Sequence, residues 1–177
     1  MIFAAALLLA AAAPADDPIE TVSLALARGL AAETSGNPRA MLDAARRLDA
    51  VGAHPGEEET DLAARWRRLA ARKGVRDAAP YRGRALGPAY RRGRLAAGAA
   101  LDTEQVFLAG QKAVVALVPE PGRTLSIRVA EPGKPICERT AAPPRASCAW
   151  LPLFTSRVEI RIANPGPAPA SYYLVSN

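Results

Sequence analysis

A run of cations with two interleaved tyrosines is the part of this chain best suited to chemistry. Residues 65–94 contain eleven Arg or Lys residues and one acid, Asp77, in a protein of 177 residues with a net charge of +6. Guanidinium groups bind phosphate and carboxylate through paired hydrogen bonds, and tyrosine rings stack on sugars or bases. We therefore predict an anion-binding site formed by Tyr81, Arg82, Arg84, Tyr90, Arg91, Arg92 and Arg94. The alternative is a solvated connector whose arginines pair with surface acids, including Glu57, Glu58 and Glu59.

The first fifteen residues decide which anions such a site meets. Residues 4–13 are an unbroken Ala/Leu run, and Ala13, Pro14 and Ala15 form an A-x-A-like cleavage site, although Lys and Arg are absent ahead of the run. This pattern predicts a signal peptide over 1–15, since a membrane span needs roughly 20 apolar residues. We expect a periplasmic or secreted bacterial protein with no transmembrane segment in its mature form. Its partners would be anionic envelope polymers or lipid headgroups and not nucleic acid.

The two cysteines, Cys137 and Cys148, are predicted to form a disulfide. They lie eleven positions apart in a chain with an export signal, and thiols outside the cytoplasm are normally oxidised. A metal site would need further Cys or His ligands, and a catalytic thiol would need a base, yet His54 is the one histidine. Trp150 is expected to pack over the bond in the protein core.

Motifs for catalysis are missing from the sequence. It contains no G-x-S-x-G, H-E-x-x-H, P-loop or G-x-G-x-x-G pattern. His54 lies in a Pro/Gly turn, where an exposed or capping role is expected, and the acids at 57–59 suit the start of a helix. We therefore predict a protein that is not an enzyme and needs no cofactor or metal.

The N-terminal part of the mature chain has the pattern of a small helical unit over 16–74. Apolar residues recur at three-to-four spacing after Pro18, and Asn37 with Pro38 marks the start of a second helix. A third helix is predicted from the acids at 57–61 to Lys73. A connector rich in Gly and Arg follows over 75–100.

From about Gln105 onward the apolar period changes from 3.6 to 2. Alternating strands are evident at 124–129 and 157–162, a continuously apolar strand at 112–118, and turn residues recur about every ten positions. Six or seven short strands of this kind indicate an antiparallel β-sandwich or jelly roll over 101–177. The predicted fold class is thus α+β, with about three helices followed by the sandwich.

Two segments of the C-terminal half carry a family resemblance. Residues 107–111, Phe-Leu-Ala-Gly-Gln, precede the apolar strand, and Tyr172, Tyr173 and Leu174 follow the turn Asn-Pro-Gly at 164–166. In these features residues 105–177 resemble the bacterial pre-peptidase C-terminal domains. The resemblance implies a small β-sandwich of the kind appended to secreted bacterial proteins. Residues 123–128 replace an Asp-rich strand of that family, so the resemblance implies the fold and no metal site.

Together these features favour an exported, non-enzymatic protein that binds an envelope component or assists another envelope protein. The alternatives are a hydrolase, an accessory or inhibitor of one, and a purely structural envelope protein. Acidic or Ser/His/Asp groups clustered in a deep pocket would favour the hydrolase, whereas a shallow basic surface would favour the binder. The sequence does not indicate the oligomeric state of the protein.

Overall fold

A computed structural model describes residues 17–57, 59–77, 87–141 and 144–177. The predicted signal peptide, Tyr81, Arg82 and Arg84 lie outside these ranges. The described helices are α1 (Pro18–Ser35), α2 (Pro38–Ala50) and α3 (Leu62–Arg72). The described strands are β1 (His54–Pro55), β2 (Ala89–Leu95), β3 (Ala100–Phe107), β4 (Ala113–Pro119), β5 (Leu125–Glu131), β6 (Lys134–Ala141), β7 (Ala146–Trp150), β8 (Ser156–Ala163) and β9 (Ala170–Ser176).

Side-chain caps set where the three helices begin. Asp17 accepts a hydrogen bond from the Ile19 amide at 3.0 Å, and Asn37 accepts one from the Ala40 amide at 3.2 Å. Asp61 caps α3, which starts at Leu62, so the acids before it lie ahead of the helix and not within its first turn. Each cap satisfies an amide that the helix itself leaves unpaired.

The predicted antiparallel sandwich is confirmed, and its strands follow a jelly-roll order. One sheet runs β1-β2-β9-β4-β7 and the other runs β3-β8-β5-β6. β2 pairs with β9, β3 with β8, β4 with β7 and β5 with β6, all antiparallel. The chain is therefore one long hairpin, with its tip between β5 and β6, rolled so that alternate pairs fall in opposite sheets. β1 adds a two-residue parallel bridge to β2.

The sheet that contains β4 is the middle layer of three. Val115 and Leu117 face the sandwich core, whereas Val114, Ala116 and Val118 belong to the apolar cluster beneath the helices. All seven residues of β4 are buried, which explains the continuous apolar run at this place in the sequence. The helical unit thus packs on the outer face of the sandwich.

The segment predicted as a connector differs from the expectation over its second half. Ala89–Leu95 forms β2 and pairs along its length with β9, and β3 begins at Ala100. The sandwich therefore starts before residue 101. Three arginines and a glycine concealed this strand, because they remove the alternation of apolar and polar residues. Residue 93 has to be glycine, because a Cβ at this position would lie 2.2 Å from the ring of Tyr172.

A buried asparagine closes one end of the sandwich. The amide of Asn164 donates to Ala99 O at 2.8 Å, and its Nδ2 donates to Ala96 O and Ala168 O, both at 2.9 Å. Asn164 is 2% exposed, so these bonds replace its contact with water. They join the β2–β3 loop to the β8–β9 loop.

The predicted disulfide between Cys137 and Cys148 is confirmed, with a Cα–Cα distance of 5.9 Å. Cys137 lies on β6 and Cys148 on β7, which are edge strands of opposite sheets. The bond therefore crosses the sandwich. Trp150 packs against the same buried cluster as both cysteines.

Replacing both cysteines by alanine should lower the free energy of unfolding by about 3 kcal/mol, since the bond closes a loop of eleven residues in the unfolded chain. Urea unfolding of the variant and of the wild type measures this difference. Wild-type protein held in reductant should match the variant. Free alkylation of both thiols in native protein would contradict the bond.

Close packing between α1 and α3 gives a second prediction. Glycine inside a helix normally costs about 1 kcal/mol relative to alanine, so Gly29→Ala would ordinarily stabilise α1. Here the added Cβ would lie 2.1 Å from the buried ring of Trp66. Gly29→Ala should therefore destabilise the protein by about 1–3 kcal/mol in thermal or urea unfolding. The loss should shrink in a Trp66→Leu background, and an unchanged loss there would contradict the clash.

Candidate ligand-binding site

β2 separates the predicted anion-binding arginines, because successive side chains of a strand point to opposite faces. Arg92 and Arg94 lie opposite Tyr173 and Ser171 of β9, on the face that the helices cover. Arg91 lies on the other face of β2. Three of the predicted arginines therefore share one strand but not one surface, and the roles of Arg82 and Arg84 stay predictions.

Tyr90 does not offer the stacking surface that was predicted for it. It is 1% exposed, and its ring packs edge to face on Tyr173 with 6.0 Å between ring centroids. Its hydroxyl oxygen accepts a hydrogen bond of 3.0 Å from the Leu62 amide at the start of α3. Burial raises the pKa of the phenol well above its ordinary value. Tyr90 therefore holds α3 to the sheet.

Several arginines of the basic stretch pair with acids, as the alternative interpretation expected. Arg65 bonds to Glu33, and Arg67 bonds to both Asp49 and Asp77. The hydrogen bonds from Arg46 have the largest effect on the pKa of Asp77 and lower it. The hydrogen bond from Arg67 lowers it further. These pairs join the three helices and leave fewer guanidinium groups for a ligand.

A small cleft of about 360 Å³ lies where Arg92 meets the helices. Its walls include Arg65, Glu33 and Glu120, together with the rings of Tyr172 and Tyr173. Two cations and two acids balance each other here. Its volume is close to the lower limit of about 300 Å³ for small-molecule sites, so it has less room for a ligand than the cleft described next.

A larger cleft of about 990 Å³, here called the interlayer cleft, opens at the end of the sandwich opposite Asn164. The start of α1 at Ile19 and the end of α2 at Val51 form one wall, and the inner face of β3 forms another. Thr103 and Gln105 lie on this face opposite the apolar Ile160 and Val158 of β8. Because these two inner positions are polar, the sandwich is open at this edge.

The polar groups of the interlayer cleft are fixed by a network around Asn177. Gln105 Oε1 accepts from Ser176 Oγ at 3.0 Å, and Gln105 Nε2 donates to Asn177 O at 3.2 Å. Asn177 Oδ1 accepts from the Val114 amide at 2.9 Å, and its Nδ2 donates to Lys112 O at 2.6 Å. These bonds set the positions of the Gln105 and Asn177 side chains in the cleft wall.

The serine, histidine and aspartate that line the interlayer cleft are each bonded to something else. Ser176 Oγ donates to Gln105, His54 Nδ1 lies 3.1 Å from Pro55 O, and Asp17 Oδ2 accepts from Lys112 Nζ at 2.5 Å. Burial disfavours the charged form of Asp17, but the hydrogen bonds from Lys112 and the Ile19 amide outweigh it and lower its pKa. These groups do not form a proton relay, which needs a nucleophile bonded to its base.

Two cations, Arg91 and Lys112, line the interlayer cleft. Arg91 forms no ion pair with any of the described residues. Lys112 is held by Asp17, and Glu104 on the opposite wall is bonded to Arg157 at 3.0 Å. Arg91 comes from the predicted set, whereas Thr103, Gln105 and Asn177 were not predicted. No sequence motif marks these three; their shared position depends on how the sheets close.

The described residues supply neither a metal centre nor a membrane span. In the described ranges, no group of three or more His, Cys, Asp or Glu side chains converges on a point suited to a metal ion. Across these same residues, no helix is long and apolar enough to cross a membrane.

Comparison with known proteins gives a resemblance in fold alone. No family model and no curated protein matches this chain. About half of it, 50%, aligns with 87% of the pre-peptidase C-terminal domain of a Bacillus anthracis collagenase, at 11% identity and a TM-score of 0.42. This agrees with the resemblance predicted from the sequence.

Two further solved structures show the same kind of likeness. A periplasmic inhibitor of g-type lysozyme from Aeromonas hydrophila aligns over 51% of this chain and 86% of its own, at 14% identity and a TM-score of 0.37. A carbohydrate-binding module solved with calcium and xylotriose aligns over 48% and 78%, at 14% identity and a TM-score of 0.32. These TM-scores lie below 0.5, so the likeness says nothing about what this protein binds.

The role of Tyr90 can be tested by replacing it with phenylalanine. The Leu62 amide would lose its partner, so the free energy of unfolding at neutral pH should fall by about 1–3 kcal/mol. Because the folded-state pKa of Tyr90 is raised above 10.0, wild-type stability should fall as pH rises beyond about 10, and the variant should lose this part of the decline.

Tyr172→Phe is the matched control for this prediction. Burial raises the pKa of Tyr172 too, but its hydroxyl bonds to no described residue. The stability of Tyr172→Phe should also fall less than that of the wild type as pH rises beyond about 10. At neutral pH this variant should lose little stability. Equal losses at neutral pH in both variants would contradict the role of Tyr90 at α3.

Proposed function

We propose that this protein is a non-enzymatic binding module of the bacterial envelope and that the interlayer cleft binds an anionic envelope component. The observation that carries the proposal is Arg91, a cation without an ion pair among the described residues, on the wall of a preorganised cleft of about 990 Å³. Small-molecule sites commonly enclose about 300–1,000 Å³ and lie where two structural layers meet. The cleft has this size and this position.

The lining of the cleft suits a ligand with an apolar part and an anionic group. Ile19, Val51 and Leu174 supply apolar surface, and Thr103 adds a hydroxyl. Arg91 has the planar donor geometry that binds phosphate or carboxylate through two hydrogen bonds. A lipid headgroup or an acidic envelope polymer has this chemistry.

The basic segment that was predicted to bind anions leads into the same cleft. Gly87 and Pro88 line the cleft, and Arg84 precedes Gly87 by three residues. Arg82 and Arg84 themselves lie outside the described residues, and their part in anion binding stays a prediction.

The occupied hydrogen bonds of the cleft favour binding over hydrolysis. A hydrolase at this place would need Ser176 or Asp17 to face a base or a water molecule. Ser176 is bonded to Gln105, and Asp17 is bonded to Lys112. The proposal therefore assigns these residues to the cleft wall and not to catalysis.

The test compares Arg91→Gln with Arg128→Gln in binding to anionic vesicles and to lipopolysaccharide. Both substitutions remove one exposed positive charge, but Arg128 lies on the outer face of β5, away from the cleft. Arg91→Gln should weaken binding about tenfold or more, since a hydrogen bond to a charged group contributes about 1.5–3 kcal/mol. Arg128→Gln should bind like the wild type.

Salt dependence is the second measurement. The Debye length falls from about 30 Å at 0.01 M salt to about 3 Å at 1 M, so binding through Arg91 should weaken as salt rises. Equal losses in the two variants would show general attraction to a basic protein. That result, or no binding at low salt, would overturn the proposed site.

A further inference from the structure

Two neighbouring loops at one end of the sandwich expose large apolar side chains. The loops are 108–112, between β3 and β4, and 151–155, between β7 and β8; they are here called the apolar loop pair. Their exposed fractions are 53% for Leu108, 60% for Leu151, 79% for Leu153 and 78% for Phe154. Contiguous exposed apolar surface on a folded protein marks a contact with another molecule or with a membrane.

Hydrogen bonds between the loops hold this surface in place. The Gly110 amide donates to Pro152 O at 2.9 Å, and the Ala109 amide donates to Thr155 Oγ1 at 3.1 Å. Behind the loops, Phe107 and Trp150 pack edge to face with 4.8 Å between ring centroids. The exposed side chains are therefore presented by a rigid base.

We propose that the apolar loop pair inserts into the interfacial layer of a lipid bilayer. A stable interface with a second copy of the chain needs about 20–30 residues on each side, whereas the two loops supply ten. Side chains more than three-quarters exposed, as Leu153 and Phe154 are, project outward and do not line a groove for a peptide. A fluid bilayer accepts such projecting groups without a matching pocket.

The charges beside the loops show what kind of membrane contact this is. Lys112, the last residue of the first loop, is bonded to Asp17 at 2.5 Å, and Arg157, two residues after the second loop, is bonded to Glu104 at 3.0 Å. Each is neutralised by its partner. The loop pair therefore binds through apolar burial, with little dependence on anionic lipid or on salt, unlike the site proposed at Arg91.

The experiment measures sedimentation of the protein, purified as it is exported, with vesicles of phosphatidylcholine. The variant is Leu153→Ser/Phe154→Ser, and the matched control is Leu101→Ser, at the other end of β3, where Leu101 is 45% exposed. The double variant should bind at least about tenfold more weakly than the wild type, and the control should be unchanged. Raising the salt tenfold should change wild-type binding by less than about twofold.

A second readout locates the contact. Trp150 immediately precedes Leu151, whereas the other tryptophan, Trp66, is fully buried beneath the helices. Brominated acyl chains should quench the fluorescence of Trp150 in the wild type but not in the double variant. Equal vesicle binding by the wild type and the double variant would overturn the proposal. So would a change from dimer to monomer in the double variant, which would assign the loops to a second copy.

The anion site is tested separately by the arginine variant. Arg91→Gln should leave binding to phosphatidylcholine vesicles unchanged, because this lipid carries no net charge and Arg91 lines the interlayer cleft rather than the apolar loop pair. Loss of this binding in Arg91→Gln would place vesicle attachment at the cleft and contradict the role of the loop pair. Each proposal can thus fail while the other holds.

Discussion

Strand β4 has to be shielded from water on both of its faces, because all seven of its residues, Ala113–Pro119, are buried and apolar. The second sheet shields one face and the helical layer shields the other. Exposure of either face would place two Val or Leu side chains in water, each at a cost of about 1.5–3 kcal/mol. The helices are therefore a structural part of the sandwich, and the three layers share one sheet.

This layering also explains why the two ends of the molecule differ. At one end Asn164 bonds to the neighbouring loops, which closes the sandwich with satisfied polar groups. At the other end the helical layer meets a polar inner face of β3, so the interlayer cleft stays open. The apolar loop pair lies at this same end. Both proposed contacts with the envelope thus fall on one side of the molecule, and the opposite side is occupied by structural bonds.

The sequence predicted the features that depend on local patterns or on pairs of residue types. Helix caps at Asp17 and Asn37, the alternating strands and the Cys137–Cys148 bond follow from such patterns. It missed β2, because arginines on a half-covered strand give no apolar alternation, and it misplaced the ring of Tyr90, which is buried although it lies among cations. The interlayer cleft was not predictable either, because its residues come from elements far apart in the chain and meet only when the sheets close.

The rolled order of the strands determines when the molecule can complete its fold. The helices rest on Tyr173 and Val175 of β9, the last strand, and β2 pairs with this strand across some eighty residues. Contacts between such distant segments form slowly, because a long loop must close before they contribute any stability. A chain synthesised from its N-terminus cannot complete the burial of its helices until β9 has been made. The topology therefore makes the burial of the N-terminal helices depend on β9, a strand made some eighty residues after the strand β2 with which it pairs.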